Sequence, residues 1–322
     1  MPHIAEHVVF MENVSSGEHF LTSGGSPRRV LSNISLLMKR SEAWGITGTS
    51  LYEIKLLLEI MANIRPYDSG RCVLIEQGMP RRKRVILRHV FYIGNSQMIY
   101  NNMNVLEYLM FVTGKLQRNQ VELQEEIFEL LIGIGLGPIS LSPNNLLTKE
   151  EKAVVALLAA VYSGSIIIVF NLPEYEFDPI LSDAIAKLSN LIRKMGKTLI
   201  LGTKSCLLIE KASTHSAVVA GGKVIYSGTV ENFRYQYDHV IVKIRDKQAL
   251  KIKESLTPLL PGYQLSIKND TLMISGSPER NDPELIYKKV LESGFIPELM
   301  EMNPKTVQNA YEELILEHDL PQ

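Results

Sequence analysis

The segment from Arg40 to Gly70 constrains the chain most. A short apolar run leads into Gly45 and Gly48. Beyond it, Ile54, Leu57, Leu58 and Met61 recur at helical spacing, which predicts a helix from about Tyr52. Pro66 and Gly70 close it with a turn. Strand, glycine turn and helix are the layout of a phosphate-binding loop, in which backbone N–H groups and a helix N-terminus hold an anion. A working loop reads G-x-x-x-x-G-K-[ST]. Counted from Gly48, this chain carries Glu53 for the second glycine, Ile54 for the lysine and Lys55 for the hydroxyl. The layout is present and the residues that grip phosphate are not.

At 322 residues the chain is long enough for one large and one small domain, and 45% hydrophobic content suffices for their cores. A net charge of -1 argues against a nucleic-acid partner. Cys72 and Cys206 alone suit a reducing compartment. The N-terminus has no basic segment followed by a long apolar one, so no secretory signal is expected. Residues 153–170 imitate a membrane span, but Ser163-Gly164-Ser165 divides them into a small-residue helix and a β-branched strand. The reading is a buried helix, a turn and a central strand.

Strands are expected over His7–Val14, Arg29–Met38, Cys72–Gln77, Val85–Ile93, Ile166–Phe170 and Thr198–Thr203. The basic turn at 79–84 reads as a solvated hairpin tip. Helices are expected over Val105–Leu116, Val121–Ile134, Asp183–Met195 and Ser205–Ala212, and another starts at the capping box Thr148-x-x-Glu151. A hairpin turns at Gly221-Gly222. From about residue 236 a second unit reads strand, helix, hairpin, helix, strand and a final helix, the ferredoxin-like order plus one helix. The expected domains are 1–235 and 236–322.

Several short motifs fall in one order. They are Leu31-Ser32-Asn33-Ile34-Ser35-Leu36, then Pro66-Tyr67-Asp68-Ser69-Gly70, then Met103-Asn104-Val105-Leu106-Glu107-Tyr108-Leu109. Val169-Phe170-Asn171-Leu172-Pro173 with Phe177-Asp178-Pro179 follows, then Gly196-Lys197-Thr198 and Gly202-Thr203-Lys204. In this order and spacing the first two-thirds resembles the ATP-binding cassette of ABC transporters, whose anchors read "LxxVSL", "P-x-x-SG", "LTVRENL", "ILDEP…LDP" and "GKT…THD". The second unit resembles the C-terminal extension of cassettes that serve bacterial exporters. The implied fold class is α/β, a P-loop NTPase-type cassette with an antiparallel subdomain, followed by a small ferredoxin-like α+β domain.

The departures fall where that family does chemistry. The resemblance puts the magnesium-contacting glutamine at Asn95, the metal-binding aspartate at Asn171, the water-activating glutamate at Leu172 and the switch histidine at Lys204. Leucine cannot act as a base. The signature "LSGGQ" maps to Leu147, Thr148, Lys149, Glu150 and Glu151. Replacing the loop lysine by Ile54 forfeits about 4 kcal/mol at an effective dielectric near 20, or about a thousandfold in affinity. Lys55 comes one position late, which turns it about 100° around a helix.

These departures imply a non-catalytic cassette for which no cofactor is expected, whereas the family uses ATP and magnesium. The expected place is the inner face of a bacterial membrane, against a polytopic exporter subunit and beside a second, ATP-competent cassette. The groove receiving the membrane subunit is expected at Met98, Ile99, Tyr100 and Met103, residues that would otherwise simply be core. Two alternatives remain open. One is a working ATPase in which Lys55 and Glu174 take over, and the other is a free interaction protein. His3-Ile4-Ala5-Glu6-His7 matches a zinc-peptidase pattern but runs directly into a strand, so no metal site is expected.

Overall fold

The computed structural model describes residues 7–21, 27–75, 77–78, 89–94, 99–114, 118–237, 239–268, 270–276, 282–302 and 305–318. The basic turn at 79–84, Asn95, Met98 and most of the His3–His7 pentapeptide lie outside them. Two compact units divide the chain, residues 1–230 and 231–319.

In the first unit, β1 (His7–Ser15), β4 (Ile34–Lys39), β6 (Ser69–Leu74) and β7 (Gln77–Gly78) form an antiparallel sheet in the order β4-β1-β6-β7. The β2 (His19–Leu21) and β3 (Pro27–Arg29) strands pair beside it as a short ribbon. Alternation along β4 is complete, with Ile34, Leu36 and Met38 inward and Ser35, Leu37 and Lys39 outward.

The larger sheet has the order β12-β11-β5-β10-β9-β8. Its strands are β5 (Ala43–Gly48), β8 (Val90–Ile93), β9 (Ile167–Asn171), β10 (Thr198–Gly202), β11 (His215–Ala220) and β12 (Lys223–Thr229). All neighbours run parallel except β12, which returns antiparallel at the edge. Every residue of β5, β9 and β10 is buried, as expected of strands covered on both faces. Helix α1 (Leu51–Met61) and the antiparallel sheet cover one face through Ile54, Leu57, Leu58, Met11 and Leu36. The other face meets α2 (Val105–Thr113), α3 (Gln120–Ile134), α4 (Lys149–Val161) and α5 (Pro179–Lys194) through Leu109, Leu131, Ala156 and Leu188. Helix α6 (Cys206–Ala212) follows β10.

The apolar stretch 153–170 is therefore the buried part of α4 followed by β9. Among the described residues no helix is long and apolar enough to cross a membrane. Helix α5 begins four residues before its expected start at Asp183. Asp178 caps it by accepting the Leu181 N–H at 2.8 Å, and Pro179 takes the first helical position, where its missing N–H costs nothing.

The second unit opens on α7 (Val230–Arg234). It comprises β13 (His239–Arg245), α8 (Ala249–Leu256), β14 (Gln264–Lys268), β15 (Thr271–Gly276), α9 (Pro283–Glu292), β16 (Leu299–Met302) and α10 (Val307–Glu317). The sheet order β14-β15-β13-β16, antiparallel throughout, is the ferredoxin-like arrangement. Its core joins Ile244, Leu272 and Ile274 to Ile252, Leu256 and Val290 of the two helices.

Candidate functional site

The expected phosphate loop is not a loop. Only Thr49 and Ser50 link the end of β5 to the first turn of α1. Ser50 is the N-cap, in extended conformation, and its hydroxyl accepts the Glu53 N–H at 3.4 Å. Glu53, Ile54 and Lys55 therefore lie inside the helix expected from about Tyr52, at the positions that a working motif gives to its second glycine, lysine and hydroxyl. The long glycine turn that would wrap a phosphate is missing between β5 and α1.

Each of the three side chains has another task. Glu53 is almost completely buried, and one carboxylate oxygen lies 3.0 Å from the Arg28 guanidinium. Burial raises its pKa, opposed by a hydrogen bond from the Gly222 backbone and by Arg28. Ile54 is fully buried in the core under the sheet. Lys55 Nζ pairs with Glu174 Oε1 at 2.6 Å, so the two residues of the alternative catalytic reading engage one another.

At the end of β9, Asn171 Nδ2 donates to the Lys55 carbonyl and to the Tyr92 hydroxyl, both at 3.0 Å. Its Oδ1 is buried and has no hydrogen-bond partner among the described residues. Tyr92 is kept neutral by burial, which raises its pKa. Leu172 is wholly buried in the core. Lys204 reaches back from beyond β10 and donates to the carbonyls of Gly48 at 2.8 Å and Thr49 at 3.1 Å. Its pKa is lowered, chiefly by burial. Beside these residues a cavity of about 480 Å³ is lined by Leu51, Glu174, Tyr175, Phe177, Lys204 and Ser205.

The signature positions form the start of α4. Thr148 and Glu151 exchange hydrogen bonds at 3.1 and 2.8 Å, a complete capping box. Lys149 Nζ lies 4.8 Å from the centre of the Tyr175 ring and 3.5 Å from Glu150 Oε1. Leu147 is buried against the helices. Of the expected membrane groove, Ile99 belongs to the core and cannot face a partner, and Met103 is half-buried. Tyr100 is 53% exposed and packs edge-on against Tyr108 and Phe111, the latter 57% exposed.

Sequence reading missed Arg28, Tyr92 and Tyr175. Arg28 and Tyr92 meet the site only through long-range packing, which leaves no local signal. Tyr175 stands next to Glu174 and was legible only as part of the segment after β9.

No protein-family profile matches the chain. By sequence it is 25% identical over 214 residues to the methionine import ATP-binding protein MetN of Wolinella succinogenes, covering 65% of this chain and 71% of that protein. A MetN of Clostridium tetani is 26% identical over 239 residues, covering 71% and 73%. The energy-coupling factor transporter ATP-binding protein EcfA2 of Methanospirillum hungatei is 24% identical over 262 residues, covering 80% of this chain and 63% of its own length. Among solved structures, cbiO1 of Clostridium perfringens, part of the ABC transporter complex cbiONQ, aligns over 79% of this chain and 97% of its own, with a TM-score of 0.56 at 17% identity. The ATP-binding subunit of an ABC transporter aligns over 71% and 92%, with a TM-score of 0.55 at 16% identity.

The fold is that of an ABC transporter cassette. The expectation of no cofactor is overturned, because the proteins similar in sequence are by name ATP-binding. The expectation of an exporter finds no support among these relatives, which are named for import or energy coupling. The β5–α1 junction itself does not fit a triphosphate in the manner of the family motif. It lacks the glycine cradle, Lys55 is paired, and Lys204 is bound to two carbonyls. What these residues do here is brace β5, α1 and the segment after β9 against one another.

Proposed function

We propose that the chain is a cassette subunit of an ABC transporter that does not itself hydrolyse ATP at the β5–α1 junction. It sits on the inner face of the membrane beneath a polytopic subunit, and a second cassette in the assembly carries the hydrolysis. The relatives favour an import or energy-coupling assembly over the exporter that the second unit suggested. The observation that carries the reading is Leu172, wholly buried where the family has its base, directly after an Asn171 that holds structure rather than metal.

Tyr100 and Phe111 support the docking part of the reading. They leave aromatic surface exposed on the segment that faces membrane subunits in the resembled family, and aromatic anchors are over-represented in interface hot spots. The signature supports the division of labour. Lys149, Glu150 and Glu151 are arranged for helix initiation, with carboxylates favoured at the positive end of α4.

Phosphate release measured on the purified chain, alone and in the assembly recovered from solubilised membranes, tests the reading. Turnover is expected only in the assembly. Turnover by the chain alone that disappears in Lys55→Ala or Glu174→Gln would establish the working-ATPase alternative instead. Recovery without any membrane protein would favour a free interaction protein. Giving the assembly Thr148→Ser, Lys149→Gly, Glu150→Gly and Glu151→Gln should raise its rate.

A further inference from the structure

Helix α3 carries more apolar surface than its core contact uses. Leu123, Ile127, Leu131 and Ile134 are buried and attach the helix to the rest of the first unit. Val121, Phe128 and Ile132 are apolar as well, and all three are exposed, Val121 by 65% and Ile132 by 56%. A turn of about 100° per residue puts them within about 20° of one line along the helix. Apolar side chains exposed singly are ordinary on a protein surface. Three on one line make a second stripe, and an apolar stripe on a helix is the face that packs against a neighbour.

Beside the stripe the surface is hollow. Val121, Gln124, Glu125 and Phe128 of α3 and Leu106 of α2 enclose about 320 Å³. Leu106, Val121 and Phe128 make most of that wall apolar, which suits a large apolar anchor.

The stripe is edged on one side by carboxylates. Glu125, Glu129, Glu122 and Glu126 follow one another around the helix at about 40–140° from it. Among the described residues only Glu126 of the four is paired with a cation, Arg118 at 2.6 Å, and it also accepts from the Tyr162 hydroxyl at 3.3 Å. Glu122 accepts from the Asn119 amide at 3.0 Å, which leaves its charge uncompensated. At the far end of α3, Lys187 is engaged by the Gly133 carbonyl at 2.8 Å. Glu122 with Glu126 and Glu125 with Glu129 stand one turn apart, an arrangement that costs helix stability until cations meet it.

These three features define a partner narrowly. Its apolar residues must recur at helical spacing to follow the stripe, and one large apolar side chain must enter the hollow. Lysine or arginine must run along one edge to meet Glu122, Glu125 and Glu129. From Val121 to Ile132 the stripe is about 16 Å long, which matches about three turns of helix. A second copy docked through the same face would bring glutamates against glutamates, and an anionic bilayer would be repelled. We propose that the outer face of α3 docks a basic amphipathic helix of a partner protein. Tyr100 and Phe111 do not line the hollow, so this surface is distinct from the one proposed above for the membrane subunit.

Fluorescence anisotropy on the full chain tests this with a labelled helical peptide of about four turns, with leucines along one face and lysines along one edge. The controls are a scrambled peptide of the same composition and a version with glutamate for every lysine. The patterned basic peptide should bind at least tenfold more tightly than either. Phe128→Ala should weaken it at least fivefold. Glu125→Lys with Glu129→Lys, two exposed positions, should reverse the preference towards the acidic version and serves if Phe128→Ala fails to fold. Equal binding of the scrambled peptide would reduce the effect to bulk charge and overturn the proposal. So would tighter binding of the acidic version, no binding at submillimolar concentration, or affinity indifferent to all three substitutions. Self-association of the chain, or binding to vesicles of phosphatidylserine and phosphatidylcholine, that is lost in Phe128→Ala would overturn it too, by giving the face to a second copy or to lipid.

Discussion

The Lys204 ammonium lies 2.8 Å from the carbonyl oxygen of Gly48, a residue 156 positions earlier in the chain. In the resembled family those two positions belong to the switch and to the phosphate loop. Here a side chain joins them directly. The bond holds the end of β5 and the entry to α1 in one arrangement. Lys204→Met should therefore cost about 1 kcal/mol in urea unfolding, a modest figure because water can reach the freed carbonyls. Amide exchange at the first turn of α1 should quicken. Unchanged exchange there would show that the tether is idle.

Glu53 predicts a pH dependence. Its ordinary pKa is 4.5, and burial raises the folded value above that. Between the two values the folded chain holds a proton that the unfolded chain has lost. The stabilisation from this group is fully present below 4.5 and is lost as pH rises through the raised folded value. Glu53→Gln cannot ionise and should flatten that part of the stability curve. Urea midpoints from mildly acidic to neutral pH measure it, and an identical slope in both proteins would exclude Glu53 as its source.

Restoring the loop lysine alone should fail. Ile54 is fully buried beneath the sheet, so Ile54→Lys places an ammonium among apolar side chains rather than beside a phosphate. A loss of about 3–5 kcal/mol is expected in chemical denaturation. A stable variant with a newly acquired phosphate affinity would mean that residue 54 faces a phosphate rather than the core.

The aromatic surface predicts a contrast between neighbours. Tyr100→Asp should release the chain from its membrane subunit in co-purification while leaving its circular dichroism intact, because the ring is half exposed. Ile99→Asp should unfold it, because that side chain is 3% exposed. Equal loss of fold in both variants would assign Tyr100 to the core.

The fold was legible wherever periodicity and capping acted locally. The Thr148–Glu151 box, the apolar strands and the alternation of β4 all leave their cause in the sequence. The Asp178-Pro179 start of α5 leaves one as well, an N-cap followed by a proline at the first helical position. The site was less legible. Counting from Gly48 assumed that the loop retained its length, and nothing in the sequence marks how many residues separate a strand from its helix. Spacing could not foresee that Arg28 meets Glu53 or that Tyr92 meets Asn171. Those contacts arise only when separate elements pack, and neither partner has a local reason to announce the other.

Gly48 remains at the one position where the motif and this chain agree. A Cβ there would overlap the Val219 carbonyl oxygen of β11, so no other residue fits unless two adjacent strands separate. The glycine is thus imposed by the neighbouring strand, whatever the nucleotide requires. Mutational scanning should find it intolerant even in an assay blind to ATP. A comparison that scores this glycine as a surviving piece of a nucleotide motif would mistake a limit on strand spacing for a trace of ancestral activity.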